Sequence, residues 1–162
     1  MIEGKAGLLL IEAKAHTEEL KHAEAGRKIE TQNKKEREAS HKTIGTAIES
    51  ACTGLQNATR LGWKISRNSH YQMSNRFAWS WKLTERGIPV ILIYLGFLKA
   101  EEMEKGSSKS FADHSAWEQV VRSHSAALFP DEVWNRNWTV NGQSFIPLIK
   151  SMYQPLHPES VL

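Results

Sequence analysis

Four apolar residues in a row, Leu8-Leu9-Leu10-Ile11, follow Gly7 and run into Glu12-Ala13-Lys14-Ala15. A short apolar run bounded by a glycine predicts a strand. Thr17 is placed to cap a following helix, with Glu18 and Glu19 in its positive first turn. Residues 21–40 are highly charged and weakly periodic, which fits an exposed helix and a mobile connection equally. Ile44, Ala47, Ile48, Ala51, Cys52 and Leu55 then recur at helical spacing and predict a helix ending near Gly54. A second helix is predicted over 70–86, with Met73, Phe77, Ala78 and Trp81 on its packing face and Gly87 as its stop. Residues 88–97 are apolar almost throughout, as expected of a strand covered on both faces.

Beyond a charged, Gly/Ser-containing loop over 101–110, Asp113 or Ser115 starts a third predicted helix. Ser115 and Glu118 have capping-box spacing. Trp117, Val120, Val121, His124 and Leu128 form its apolar stripe, and Pro130 stops it. Asn141-Gly142 predicts a two-residue type I′ hairpin turn, which needs positive φ at both positions, and a strand over 144–149 follows. Residues 154–162, which include Pro155 and Pro158, are expected to form a loose tail. No internal repeat is present.

Length limits the architecture: 162 residues make one domain, 1–162, with a substantial core. The apolar share of 40% and charged share of 24% are those of a soluble globular chain. No apolar run reaches the roughly 18 residues of a membrane span, so no membrane partner is expected. No signal-peptide pattern opens the chain, and Cys52 is the only cysteine, which excludes an internal disulfide or a cysteine-based zinc site. The cytoplasm is the expected location. The net charge of +3 says little, but its distribution says more. Over 60–86, Arg60, Lys64, Arg67, Arg76, Lys82 and Arg86 face one acid, Glu85. Such a segment suits phosphate tracking, and it suits a solvated helix face plus a loop as well.

Side chains alternate across a strand, so Leu8, Leu10, Glu12, Lys14 and His16 share one side, and Leu9, Ile11, Ala13 and Ala15 the other. A carboxylate and an ammonium at the end of an apolar strand are unusual for purely structural packing. The carboxylate suits a hard cation such as Mg²⁺. The lysine is placed to orient or deprotonate an attacking water or to stabilise charge on a phosphate.

Glu12-Ala13-Lys14, at the end of an apolar strand and followed by an amphipathic helix over 70–86 and an apolar strand over 88–97, resembles the (D/E)xK half of the PD-(D/E)xK nuclease superfamily. The resemblance covers mainly residues 7–15 and 70–98. It implies a restriction-endonuclease-like α/β fold, a three-layer α/β/α core around a mixed sheet. The family's first helix and first strand have no counterparts in this chain. It further implies a DNA substrate, Mg²⁺ or Mn²⁺ as cofactor, and catalytic roles for Glu12 and Lys14. Glu12 and the Ala13 carbonyl would be metal ligands. Only eleven residues precede Glu12 and Glu3 is the one acid among them, so Glu3 is the candidate for the family's missing aspartate. Gln72, Asn75 and Arg76 on the predicted helix, with His16, are the candidate substrate-binding residues. A chain without the family's first elements is expected to leave sheet surface or a strand edge uncovered, and so to form a homo-oligomer.

Two other classes of function fit the same residues. One is a catalytically inactive nuclease-fold module that binds nucleic acid or takes part in assembly. The other is a structural interaction protein that uses the charged segment 21–40 as its contact surface. The remaining histidines are scattered without ligand spacing. The tryptophans are expected to serve packing rather than base stacking, and Cys52, in an apolar helical stripe, is expected to be buried.

Overall fold

The two apolar runs flanking the charged middle of the chain lie side by side. In the computed structural model, which describes residues 2, 4–23, 34–104, 106 and 108–153, β1 (Leu8–Lys14) pairs in parallel with β2 (Val90–Leu98). β2 pairs in parallel with β4 (Gln143–Tyr153), and β4 pairs antiparallel with β3 (Trp138–Val140). The result is a four-stranded mixed sheet in the order β1-β2-β4-β3. Three helices link β1 to β2: α1 (Thr17–Ala23), α2 (Lys34–Thr59) and α3 (Tyr71–Glu85). A fourth, α4 (His114–Ser125), links β2 towards β4. Parallel neighbours require such long crossovers. No helix among the described residues is long and apolar enough to cross a membrane.

Local chemistry explains most of the boundaries. Glu19 reaches back to the N–H groups of Ala15 (2.6 Å) and His16 (3.3 Å), so the cap of α1 comes from this carboxylate. Asp113, not Ser115, caps α4, accepting from the Ala116 N–H at 2.8 Å. Glu118 instead holds Arg122 one turn on, at 2.7 Å. Asn141 and Gly142 take φ of 48° and 72°, as the hairpin turn demands. Gly87, at φ 92°, closes α3, and the Ile88 N–H bonds back to the Leu83 carbonyl.

α2 does not stop at Gly54 but continues to Thr59. The indole of Trp81 on α3 occupies the space that a Cβ at Gly54 would need. Here glycine permits close helix approach instead of ending a helix, at a propensity cost of roughly 1 kcal/mol relative to Ala.

The core lies between the sheet and the helices, around Phe77. Its ring packs against Phe129 (4.6 Å between centroids), Trp63 and Trp134 (both 5.5 Å), and Phe145 (5.9 Å). Most buried strand positions share one side: Val90, Leu92 and Tyr94 on β2, Phe145 and Ile149 on β4, and Glu12 and Lys14 on β1. α3 packs there through Phe77, and α4 through Trp117, which fills the space beside Gly96.

Apart from the buried Ser144, residues of the opposite parity are half-buried or exposed. Leu9 and Ile11 are 56% and 52% exposed, while Ile91, Ile93, Leu95, Ile146 and Leu148 are half-buried and lie outside the core cluster. Among the described residues, the strand expected to be covered on both faces is fully buried on one and half-buried on the other. Among the described residues the architecture has two layers, helices over one face of the sheet, and β1 is an edge strand. The tail 154–162 and the middle of the charged segment, 24–33, lie outside the described residues.

Candidate functional site

The site forms where the end of β1 meets the first turns of α3. Strand alternation turns Glu12 and Lys14 inward with the core-facing residues, and both are largely buried. Lys14 Nζ lies 2.9 Å from Glu12 Oε1. From α3, Arg76 Nε meets the other carboxylate oxygen, Oε2, at 2.7 Å. Gln72, one turn before Arg76 on the same face, accepts from Lys14 Nζ through Oε1 at 3.1 Å. Lys14 and Arg76, from two elements, thus close on one carboxylate, and Gln72 holds Lys14. The charges of Glu12, Lys14 and Arg76 sum to +1, an excess that suits an anion.

Burial pushes the Glu12 carboxyl up, but hydrogen bonds and charge from Lys14 and Arg76 outweigh it and hold the group below the usual carboxylate range. Tyr94 stands opposite Glu12 in the β1–β2 register. Burial first, and then the Glu12 charge, pushes its phenol well above the ordinary value, against a smaller opposing pull from Arg76. The Tyr94 hydroxyl is buried without a hydrogen-bond partner among the described residues. Sequence reading passed over this residue. The only signal was parity, since Val90, Leu92 and Tyr94 alternate onto the face that Glu12 shares.

The two other candidate binding residues do not join this cluster. Asn75 turns away from it and donates to the Tyr71 hydroxyl at 3.0 Å. One residue is about 100° around a helix, enough to move Asn75 off the row that Gln72 and Arg76 share. His16 lies past the end of β1, where the chain enters α1. Its Nδ1 lies 2.6 Å from Ser108 Oγ and its backbone bridges to Ser110, so it pins the 108–110 loop. Glu3 lies outside the described residues.

The donors available for a metal are few but chemically suitable. The Leu8 N–H bonds to the Pro89 carbonyl, so the backbone groups of Leu8, Leu10, Glu12 and Lys14 face β2. Those of Leu9, Ile11 and Ala13 then face the open edge of the sheet. The Ala13 carbonyl is thereby left on that edge, beside the Glu12 position. Mg²⁺ is commonly held by one or two carboxylates and completes its shell with water and substrate phosphate. A carboxylate and a carbonyl fit that pattern. No cluster of three or more His, Cys, Asp or Glu with metal-ligand spacing occurs among the described residues.

The tryptophans divide. Trp63, Trp117 and Trp134 are buried, as packing residues should be, but Trp79 is 58% exposed on α3. Cys52 is half-buried and its thiol donates to the Trp63 carbonyl.

Compared with protein-family models, with curated proteins and with solved structures, the chain has no significant match in any of the three.

Proposed function

We propose that this chain is a metal-dependent nuclease of the PD-(D/E)xK type, hydrolysing phosphodiester bonds in DNA at the Glu12 cluster. The observation that carries the reading is the convergence of Lys14 and Arg76 on Glu12 from a strand end and a helix, with Gln72 of the helix holding Lys14. In this reading the two layers described above belong to a three-layer, restriction-endonuclease-like core whose outer layer would cover the open sheet face.

Glu12 and the Ala13 carbonyl would hold Mg²⁺ or Mn²⁺. When bound, such an ion polarises a phosphoryl oxygen and lowers the pKa of a coordinated water. The chain's own residues do the positioning. Lys14 has three N–H donors and spends two of them on Glu12 and Gln72. The third is left for a phosphate oxygen or the attacking water. Gln72 fixes the direction of the ammonium. Arg76 uses Nε on Glu12, and its side chain is 43% exposed. Its terminal nitrogens suit the forked binding of a phosphate. Water adds to phosphorus as the bond to the leaving oxygen breaks, one water proton ends on that oxygen by way of solvent, and Lys14 stabilises the charge that develops.

One observation favours a second reading, a nuclease-fold module that binds DNA without cutting it: both Glu12 oxygens already carry a cation, Lys14 on one and Arg76 on the other. A cleavage assay on plasmid DNA with Mg²⁺ or Mn²⁺ separates the two. The nuclease reading expects divalent-dependent cutting that Glu12→Gln abolishes while DNA binding remains. Cutting that survives Glu12→Gln would remove the site assignment. DNA binding without cutting under either ion would leave the second reading.

A further inference from the structure

α3 carries three rows of side chains with three environments. Met73, Phe77, Ser80 and Thr84 are buried in the core, while Gln72 and Arg76 face Lys14 and Glu12 of β1. Tyr71, Asn75, Ala78 and Lys82 face a groove of about 560 Å³ between α3 and α2, walled on the α2 side by Ile44 and Ala47. That volume lies within the roughly 300–1,000 Å³ of small-molecule sites.

Trp79 lines the groove and is exposed. It follows Asn75 by four residues and Arg76 by three. Side chains so spaced are neighbours on a helix, about 5–6 Å apart at Cβ. Trp79 therefore stands between the groove row and the row that carries the phosphate-binding arginine. An apolar groove with an aromatic rim, next to an exposed guanidinium and with Lys82 on its wall, combines a stacking surface with positive charge. Single-stranded nucleic acid is recognised through this pairing of stacked bases and neutralised phosphates. A duplex keeps its bases stacked on one another and offers the groove nothing.

We propose that the α2–α3 groove takes an unstacked nucleobase of single-stranded DNA, stacked on Trp79, while the adjoining phosphate lies at Arg76. This rests on the phosphodiester reading of the Glu12 cluster and adds the strandedness of its substrate. Asn75, which sequence reading placed at the substrate, then acts through the groove. Its contact with the Tyr71 hydroxyl sets a polar edge at which a base can be met.

The test is equilibrium binding of a fluorescent oligothymidylate and of a duplex of equal length, without divalent ions, to the full chain and to Trp79→Ala and Trp79→Phe. Wild-type protein is expected to prefer the single strand. Trp79→Ala should lose about tenfold in single-strand affinity, in line with the usual worth of one stacked base, with duplex affinity unchanged. Trp79→Phe should restore most of the loss. Equal single-strand affinity for Trp79→Ala and wild type, or equal losses on both DNAs, would overturn the proposal. If Trp79→Ala instead abolishes self-association in light scattering and leaves DNA binding intact, the groove is a protein contact and the proposal falls. Divalent-dependent cutting with no effect of Trp79→Ala sinks the groove alone. Absence of all DNA binding removes the phosphodiester reading, and the groove proposal with it.

Discussion

Arg76 Nε and Glu12 Oε2 lie 2.7 Å apart and tie α3 to the edge strand β1. The two partners are unequally placed: the Arg76 side chain is 43% exposed and that of Glu12 11%. Removing them should therefore have unequal effects. Glu12→Gln strips the buried Lys14 ammonium of its counter-charge and is expected to cost about 3 kcal/mol, as when one partner of a buried pair is lost. Arg76→Ala leaves Lys14 to neutralise Glu12 and should cost under about 1 kcal/mol. Urea unfolding of the two variants measures the difference. Equal costs would mean that the pair is solvated throughout.

The same carboxylate makes stability depend on pH. Lys14, Arg76 and Tyr94 face Glu12, and its folded-state pKa lies below the ordinary value of 4.5. The unfolded chain thus binds the proton first. The stabilisation is complete above about pH 4.5 and is lost as pH falls through the folded value. Glu104 behaves similarly, held down to about 2 chiefly by the backbone N–H and hydroxyl of Ser110, with Lys109 adding to it. Thermal melts between pH 5 and 3 should show a shallower fall for Glu12→Gln than for wild type. Glu104→Gln gives the loop contribution separately. Parallel curves for wild type and Glu12→Gln would contradict the pairing.

Tyr94→Phe tests the hydroxyl left without a partner. A buried polar group with no hydrogen bond costs about 1–3 kcal/mol. Removing it should leave stability unchanged or raise it by up to about that amount, seen as a higher Tm. A clear loss of stability would show that the hydroxyl is satisfied, for instance by a buried water that the phenol shares with Glu12.

Gly54→Ala sets helix propensity against packing. In the interior of a 26-residue helix, propensity alone would favour Ala by roughly 1 kcal/mol. The Trp81 indole occupies the space of the new methyl. Overpacking commonly costs about 1–3 kcal/mol, so the net expectation is destabilisation, read as a lower urea midpoint. Stabilisation would mean that the indole moves aside without loss.

The part of the site that was legible in the sequence rests on two periodicities. Period two placed Glu12 and Lys14 on one side of β1, and period 3.6 placed Gln72 and Arg76 on one side of α3. Joining the rows is tertiary geometry, set by the parallel pairing of β1 with β2 and the packing of α3 against them. What was not legible depends on neighbours. Gly54 reads as a stop until Trp81 is seen lying against it. Asn75 reads as part of the Gln72–Arg76 patch until the helix is wound and one residue changes its direction. His16 shares strand parity with Glu12, but the strand ends at Lys14 and alternation no longer applies. The apolar run 88–97 shows that its residues can be buried on either side. It cannot show which layer is supplied by the described chain.

The sheet face that the described residues leave only partly covered turns association into a thermodynamic variable of the site. Leu9 and Ile11 on the edge strand border Ile91 and Ile93, and any layer that covers them grips the same strand that carries Glu12 on its other side. A partner that binds only the folded form stabilises it in proportion to RT ln(1 + [L]/Kd). The stiffness of β1, and with it the placement of the carboxylate, then rises with the concentration of whatever covers this face. If a second copy does so, Tm should climb with protein concentration, and Ile11→Lys should flatten that dependence while leaving the helical side of the sheet untouched.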